Sequence, residues 1–338
     1  MIGIDISGHS VKIVRLSSGR DHRLISHCWA AVPDQLIEKG VIKDVSAVQK
    51  ILIAALKESR LDIRDEVVAS IPETQSFLRV VEIPKMEETE ISEAVQWEVA
   101  QHIPFGLENV YIDWQSVEAG HSPAAGKREV LVGAAEKSVV DPLLAVLHGV
   151  GLNVGALELE SQAIVRALIS REMELRSGLL VVDLGGAATN VIVFDHGTIR
   201  FTASLQKGSA DLLPVLPPQE AQSIDGPPKP TNEANQAAIA LKLMPGLEEM
   251  VIEIQGIVEF YNGIDTEHEV KEIVLTGGGA NLPGFDQAVL KYFNNVHVQR
   301  GNPWVNILEP GKSSQPPLAL QESVHYSTAL GLALRPPT

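Results

Sequence analysis

Asp5-Ile6-Ser7-Gly8, followed by Val11-Lys12-Ile13-Val14, has an echo in Asp183-Leu184-Gly185-Gly186, followed by Asn190-Val191-Ile192-Val193. Each copy reads as a strand, an Asp at its end, a tight turn of small residues and a returning strand. One such motif is more often an ordinary β-hairpin. Two copies, each opening an α/β half, suit a polyphosphate. Backbone N–H groups in a turn without bulky side chains can converge on phosphate oxygens, and the adjacent Asp can hold a hydrated Mg²⁺. A third stretch, Ile273-Val274-Leu275-Thr276-Gly277-Gly278-Gly279-Ala280-Asn281-Leu282-Pro283-Gly284, runs a buried strand into three glycines and a helix start. Glycines allow close backbone approach to a ligand, and a helix N-terminus favours a phosphate.

Working outward, the 338-residue chain is long enough for two domains or one lobe with insertions. It carries 27 basic and 43 acidic residues, a net charge of −16. That charge repels phosphate backbones and anionic headgroups, so no nucleic-acid partner and no direct membrane insertion are expected. The one cysteine, Cys28, has no internal partner, which suits a reducing compartment. No basic segment followed by an apolar run opens the chain, and the apolar stretch Leu179 to Phe194 is interrupted by Asp183 and Gly185-Gly186. The expected class is a cytoplasmic α/β protein.

Strands are expected at Ile2–Ile6, Val11–Leu16, Leu24–Ala31 and Val67–Ile71, with an amphipathic helix over Val45–Ser59. A small α/β insertion is expected over 81–156: strand Leu78–Ile83 leading into it, a Glu-rich helix Glu88–His102, strands near Val110–Val117 and Glu129–Ala134, and a helix Asp141–His148. Leu157–Ser170 reads as helix. Residues 206–235, with six prolines between Pro214 and Pro230, read as loop. A helix over Gly246–Asn262, the strand Ile273–Thr276, and helices Pro283–Phe293 and Val324–Leu334 complete the reading.

This order of elements resembles the nucleotide site of the actin-like ATPase superfamily: a first phosphate loop (Asp5–Lys12), a connecting helix (Glu160–Leu168), a second phosphate loop (Asp183–Thr189), an adenosine loop (Thr276–Leu282) and a second connecting helix (Ser327–Leu334). Within it, the chain is similar to the PilM family, the actin-like cytoplasmic components of type IV pilus assembly and relatives of the division protein FtsA. Gly3-Ile4-Asp5-Ile6, Ser10-Val11-Lys12, Gln101-His102-Ile103-Pro104-Phe105, Leu282-Pro283-Gly284 and Thr328-Ala329-Leu330-Gly331-Leu332-Ala333-Leu334-Arg335 carry the likeness. Two departures stand out. Ser7 occupies a place where the family usually has glycine, and 206–235 is rich in proline where the family more often has helix.

The resemblance implies an actin-like fold of two ribonuclease-H-like lobes. Residues 1–80, with 157–178 and 322–338, form the first lobe. Residues 81–156 are an inserted subdomain, and 179–321 the second lobe, with a small subdomain at about 213–269. It implies an ATP and Mg²⁺ site made of Asp5, Ser7, Gly8, Ser10, Lys12, Asp183, Gly185, Gly186, Thr189, Gly277, Gly278 and Gly279. Lys12 would reach the phosphates, and Asp5 and Asp183 would hold the metal through water. Glu160 falls where some relatives place the residue that polarises the attacking water; Gln162 could serve instead, or neither. Weak or no hydrolysis is therefore the expectation.

The function implied is an ATP-binding scaffold of a pilus, secretion or DNA-uptake machine. It would dock onto the N-terminal cytoplasmic tail of a PilN-like inner-membrane protein, in a groove between the first lobe and the insertion, with Ile103-Pro104-Phe105 either beside that groove or packed as a helix stop. It would thus be peripheral to the inner membrane through its partner, with room for self-association. A polymerising division-type homologue usually adds a C-terminal amphipathic anchor, whereas this sequence closes on Leu334-Arg335-Pro336-Pro337-Thr338. A small-molecule kinase on the same fold would need a catalytic base in a substrate cleft, for which no motif is present. Gly126-Lys127-Arg128 and Gly311-Lys312-Ser313 imitate P-loops without the required spacing. His22, His27 and Cys28 lack a fourth zinc ligand.

Overall fold

The computed structural model describes residues 1–17, 19, 22–61, 65–101, 106–117, 126–174, 178–224, 232–264, 270–308 and 315–336, with 88, 222–224 and 264 described by backbone alone. The first lobe opens with β1 (Ile2–Ile6), β2 (Ser10–Leu16), β3 (Leu24–Ala31) and a two-rung hairpin of β4 (Ile37–Glu38) and β5 (Val41–Ile42). Helix α1 (Val45–Glu58) begins where the Asp44 carboxylate accepts the Ala47 N–H at 2.9 Å. It buries Val48, Leu52, Ala55 and Leu56, one face of the expected helix. β6 (Glu66–Ile71) then runs parallel to β1.

Next come β7 (Ser76–Pro84), α2 (Glu88–Ala100), β8 (Val110–Ser116), β9 (Lys127–Glu136) and α3 (Lys137–Gly149), then β10 (Asn153–Leu159), α4 (Glu160–Leu168) and α5 (Arg171–Glu174). The second lobe holds β11 (Leu179–Leu184), β12 (Thr189–Asp195), β13 (Thr198–Leu205), α6 (Pro218–Ile224), α7 (Glu233–Ile264), β14 (Glu272–Thr276), α8 (Phe285–Tyr292) and β15 (His297–Arg300). The chain returns through α9 (Leu320–Ser323) and α10 (Ser327–Ala333).

Two sheets carry the architecture, in the orders β10-β6-β1-β2-β3 and β15-β14-β11-β12-β13-β7-β9-β8. The first sheet and the opening of the second share one plan. β1 is antiparallel to β2 and parallel to β6, just as β11 is antiparallel to β12 and parallel to β14. The duplicated motif thus reports a duplicated half, and the α/β fold is actin-like. The register refines the internal match. Asp5 faces Lys12 and Asp183 faces Asn190, so Lys12 corresponds to Asn190, one step away from the match read from sequence.

Within the first lobe, α10 lies on β1 and α4 at van der Waals limits. A Cβ on Gly331 would sit 1.8 Å from the Ala163 carbonyl oxygen, and one on Gly3 would sit 2.0 Å from that of Ala329.

Several elements differ from their expectations. Residues 157–159 end β10, paired in parallel with β6, and helix begins only at Glu160. The apolar spacing there fits strand or helix alike, and the free partner edge of β6 decides. β13 and β15, unmarked in the sequence, complete ladders on β12 and β14. α7 starts at Glu233 and runs through Pro245, because Ile239 and Leu243 extend the buried stripe continued by Leu247, Met250 and Val251. The carbonyl that Pro245 leaves unbonded belongs to Leu241, on the solvent side of the helix, where water can satisfy it. Parts of 206–235 are helical too: short turns at Ser209–Asp211 and Leu213–Val215, then α6.

Helix α3, grouped by the sequence with the insertion, packs Val139, Leu143 and Leu147 into the same cluster as Val48 and Leu52 of α1. The insertion's own core is Ile91, Val95 and Val99 of α2 against Val81, Ile83, Val130 and Val132. Its strands continue the second lobe's sheet, joined at the single rung Phe201–Arg79. A buried fork reinforces that seam: Arg200 donates to both Glu129 carboxylate oxygens, at 2.8 and 2.6 Å. Residues 102–105 lie outside the described residues. Among the described residues, no helix is long and apolar enough to cross a membrane.

The close α10 contact is testable. Gly331→Ala should destabilise the chain by roughly 1–3 kcal/mol through overpacking. Gly256→Ala, where a Cβ in α7 meets nothing within 4 Å, should stabilise it by about 0.5–1 kcal/mol. Denaturant melts of both variants check the pair, and equal midpoints would contradict it.

Candidate functional site

The two small-residue turns close in the same way. Ser7 N–H donates to the Ser10 carbonyl at 2.9 Å, and Gly185 N–H donates to the Ala188 carbonyl at 2.9 Å. The structure therefore explains Ser7. A Cβ on Gly185 would press on the Ala188 oxygen at 2.9 Å, whereas the Ser7 hydroxyl donates to the corresponding Ser10 oxygen at 3.1 Å. A side chain is accommodated there by bonding to the group it would otherwise crowd. The turns confront one another: a Cβ on Gly186 would lie 2.6 Å from His9, and one on Gly8 would lie 3.3 Å from that of Ala187. Ser209 and Ala210 N–H groups hold the carbonyls of Gly185 and Gly186 from behind, at 2.8 and 3.0 Å.

An acidic network lies at the base of the turns. Lys12 donates from Nζ to Asp5 Oδ2 at 3.0 Å, while the Ser70 hydroxyl donates to Asp5 Oδ1 at 2.9 Å. Asn190 donates from Nδ2 to Glu160 Oε2 at 3.0 Å and lies 3.5 Å from Asp183 Oδ2, and its own Oδ1 accepts from Ser204 at 2.8 Å. Glu73 and α4 clasp each other. Glu73 N–H donates to Glu160 Oε2, and Ser161 N–H to Glu73 Oε2, both at 3.3 Å.

Carboxylates thus outnumber the one ammonium, and their proton affinities reflect it. Burial lifts Asp183 to about 6; Lys12 opposes the rise and Asp5 adds to it. Burial, then the charges of Asp5, Asp183 and Glu73, hold Glu160 well above the usual carboxylate range. Burial also raises Glu73. Lys12 is raised, since its acidic neighbours outweigh a burial that works against its charge.

The three glycines form the opposite wall. Gly277 has φ +81°, and a Cβ there would lie 2.4 Å from Asp183 Oδ1, so only glycine fits. A Cβ on Gly278 would meet the His325 ring at 3.0 Å. Burial, with Lys12 adding, lowers His325 to about 4, so the ring is neutral near pH 7. Its Nε2 lies 3.2 Å from Asn281 Nδ2.

Together these groups enclose a cleft of about 480 Å³, within the roughly 300–1,000 Å³ usual for small-molecule sites. Asp5, Ser7, Gly8, Ser10, Lys12, Glu160, Asp183, Gly185, Gly186 and Gly277 to Gly279 all line it. Thr189 is not brought to it. Its register partner in the repeat is Val11, and its hydroxyl is buried, donating to the Lys207 carbonyl at 2.7 Å. Gln162 lines a second groove instead. Ser70, Glu73, Asn190 and His325 were missed by the sequence reading. Asn190 alone had a signal, as part of the second copy of the motif, and the register makes it the counterpart of Lys12.

That second groove, about 390 Å³, runs between β8 and β9 on one side and α3, β10 and α4 on the other. Leu78, Leu131, Val140, Leu144, Leu157 and Leu159 make it apolar, and Tyr111 at its rim donates to Asp141 at 2.9 Å. The set-aside motifs stay apart from both clefts. Lys127 pairs with Glu82 at 2.9 Å, His27 Nδ1 lies 3.4 Å from the Tyr326 hydroxyl, and 309–314 are outside the described residues.

Comparison with known proteins gives the family and the fold. The family model described as type IV pilus assembly protein PilM matches residues 3–336. Among solved structures, a PilM-PilN type IV pilus biogenesis complex aligns with a TM-score of 0.82 at 25% identity, covering 98% of this chain and 97% of the other. The ethanolamine utilization protein EutJ from Carboxydothermus hydrogenoformans aligns with a TM-score of 0.57 at 16% identity, covering 98% and 88%, a likeness of fold.

The pH response of the cleft has a definite sign. The folded chain keeps the Asp183 proton up to about pH 6, whereas an unfolded one releases it near 4. The stability so gained is complete below the unfolded value and is lost as pH rises through about 6. Asp183→Asn, which imitates the protonated carboxyl, should leave the melting temperature of the ligand-free protein unchanged at pH 4. Above that it should raise the melting temperature progressively to about pH 7, the gain in stability reaching roughly 1–2 kcal/mol once screening by cleft water is allowed for. A difference that does not vary with pH would contradict the assignment.

Proposed function

The chain belongs to the PilM family of type IV pilus assembly proteins, and on that premise we propose that it is an ATP-binding scaffold that docks onto the N-terminal cytoplasmic tail of a PilN-like inner-membrane partner. The observation that carries the nucleotide reading is the pair of identically closed turns facing each other across one cleft, each with an Asp at its base. In this reading the turn amides cradle the phosphates and Lys12 offsets their charge. Gly277 to Gly279 admit the adenosine past a neutral His325.

The cleft's acid excess fits a divalent cation. Among the described residues, no three His, Cys, Asp or Glu side chains converge as a direct ligand set. Asp5 and Asp183 would therefore hold Mg²⁺ through water, in keeping with that ion's reluctance to dehydrate. When bound, the ion neutralises phosphate charge. Glu160 is the candidate to orient an attacking water. Its carboxylate is already engaged by Asn190 and the Glu73 N–H, and burial favours its protonated form, which makes a poor general base. Weak or no hydrolysis follows, and the nucleotide then serves as a structural ligand.

The apolar groove between the first lobe and the insertion supports the docking reading, as does the likeness to a PilM-PilN complex. A net charge of −16 disfavours anionic lipid, so attachment at the inner membrane runs through the partner protein.

Titration with Mg·ATP should raise the melting temperature of the nucleotide-free protein, by about 2.7 kcal/mol of stability at a hundredfold excess over Kd. Asp183→Ala and Gly277→Val should each abolish the shift. A parent protein that shows no shift would defeat the nucleotide reading. For the groove, the readout is fluorescence anisotropy of a labelled peptide copying the partner's tail. A Cβ at Gly133 makes only ordinary contacts, at 3.6 Å to Leu159 and Leu78, so Gly133→Leu projects into the groove, and an unchanged circular dichroism spectrum checks that the sheet stays folded. The variant should weaken the peptide at least tenfold and leave the Mg·ATP shift intact. Undiminished binding would place the tail elsewhere.

A further inference from the structure

The β4–β5 hairpin bears on the cleft in a way that the repeated motifs do not explain. Its rungs are Ile37–Ile42 and Glu38–Val41, so the loop is the two residues Lys39 and Gly40. Both have positive φ, +50° and +82°, as a type I′ turn requires. Gly40 suits its place. Lys39 occupies the other, where Asn, Asp or Gly is usual, and a left-handed non-glycine residue beside a cleft is a reason to look for a role.

The turn is also held firmly. A Cβ on Gly40 would lie 2.8 Å from the Pro72 ring, and the Thr74 hydroxyl donates to the Lys39 carbonyl at 3.4 Å. The hairpin's Ile37 carbonyl sits 3.7 Å from where a Gly8 Cβ would be, so the first turn of the cleft abuts it. Lys39 itself lines the cleft.

Position along the cleft follows from the contacts. Starting at His325, they pass to Gly278, then from Gly277 to Asp183, through Asn190 to Glu160, and on to Glu73. Thr74, the next residue, holds Lys39. Lys39 therefore adjoins the Glu73–Glu160 side of the cleft, whereas the three glycines adjoin Asp183 and His325. Charge points the same way. Among the described residues, the lysines lining the cleft are Lys12 and Lys39; Lys12 is already paired with Asp5, while Lys39 makes no ion pair with any of them.

We propose that Lys39 is a second phosphate-binding cation, which contacts the terminal phosphate of a nucleoside triphosphate and so sets the preference for triphosphate over diphosphate. This rests on the nucleotide reading of the cleft. With the glycine wall holding the base, the two turns hold the inner phosphates, and only the group at the far end comes within reach of Lys39. A diphosphate ends short of it.

The test is calorimetric titration of the full chain with Mg·ATP and Mg·ADP for the parent, Lys39→Asn and Lys39→Arg. Asn accepts the left-handed backbone, so the turn survives the loss of the charge. For Lys39→Asn, affinity for ATP should fall about tenfold or more, as expected for one charge-assisted hydrogen bond, while affinity for ADP changes less than twofold. Lys39→Arg should restore most of the ATP affinity. Equal losses for both nucleotides, or none, would overturn the assignment while leaving the nucleotide reading standing. A parent protein that binds neither nucleotide would overturn both.

Discussion

The contact that the rest of the structure depends on is the approach of α10 to β1 and α4, with no side chain between them. Gly3 and Gly331 are the points of closest passage, and a methyl group at either would overlap main-chain atoms. The consequence reaches the cleft directly. α4 begins at Glu160, and the turn that leads into α10 carries His325, so one packed helix pair fixes opposite walls of the site. Buried hydroxyls extend the tie, since Ser327 at the start of α10 lies 2.7 Å from Thr276, the residue before the three glycines. Precision in the cleft is thus bought by backbone packing elsewhere.

Within that frame the acidic network works against folding. Asp5 and Glu73 are almost wholly buried, and Glu160 and Asp183 line the cleft beside them, with Lys12 as their ammonium counterpart. Like charges held this close force protons onto the weaker acids, and each retained proton marks free energy that an added cation would recover. A chain selected only for stability would replace some of these groups. The proposed ligand, with a cation of its own, would complete the balance.

How much of this was legible in the sequence depended on whether a residue's role was local. An Asp followed by small residues and an apolar return strand declares itself, because the turn that needs it is made by its neighbours. The three glycines did so for the same reason. Glu73 did not: its partners Glu160 and Ser161 are distant in sequence, and a carboxylate after a proline looks like any other. The strand at Asn153–Leu159 was concealed by apolar spacing that serves either structure, and only the parallel pairing with β6 resolved it. Pro245 read as a boundary because its local penalty is plain, while the buried stripe that outweighs it spans both sides. Thr189 entered as the end of the second phosphate loop that the resemblance implies; the register that matches it with Val11 turns it inward.

The seam between β13 and β7 gives the insertion and the second lobe a mechanical character. Their strands form one plate, yet the ladder narrows there to the rung Phe201–Arg79, beside the Arg200–Glu129 fork and the Thr202 hydroxyl, which donates to the Leu78 carbonyl at 3.2 Å. The two parts of the plate are therefore joined along one narrow line parallel to β13. The insertion's other support is α3, rooted in the first lobe's core. The insertion, continuous with one lobe's sheet and rooted through α3 in the other's core, thus borders the groove along a wall whose position both lobes fix.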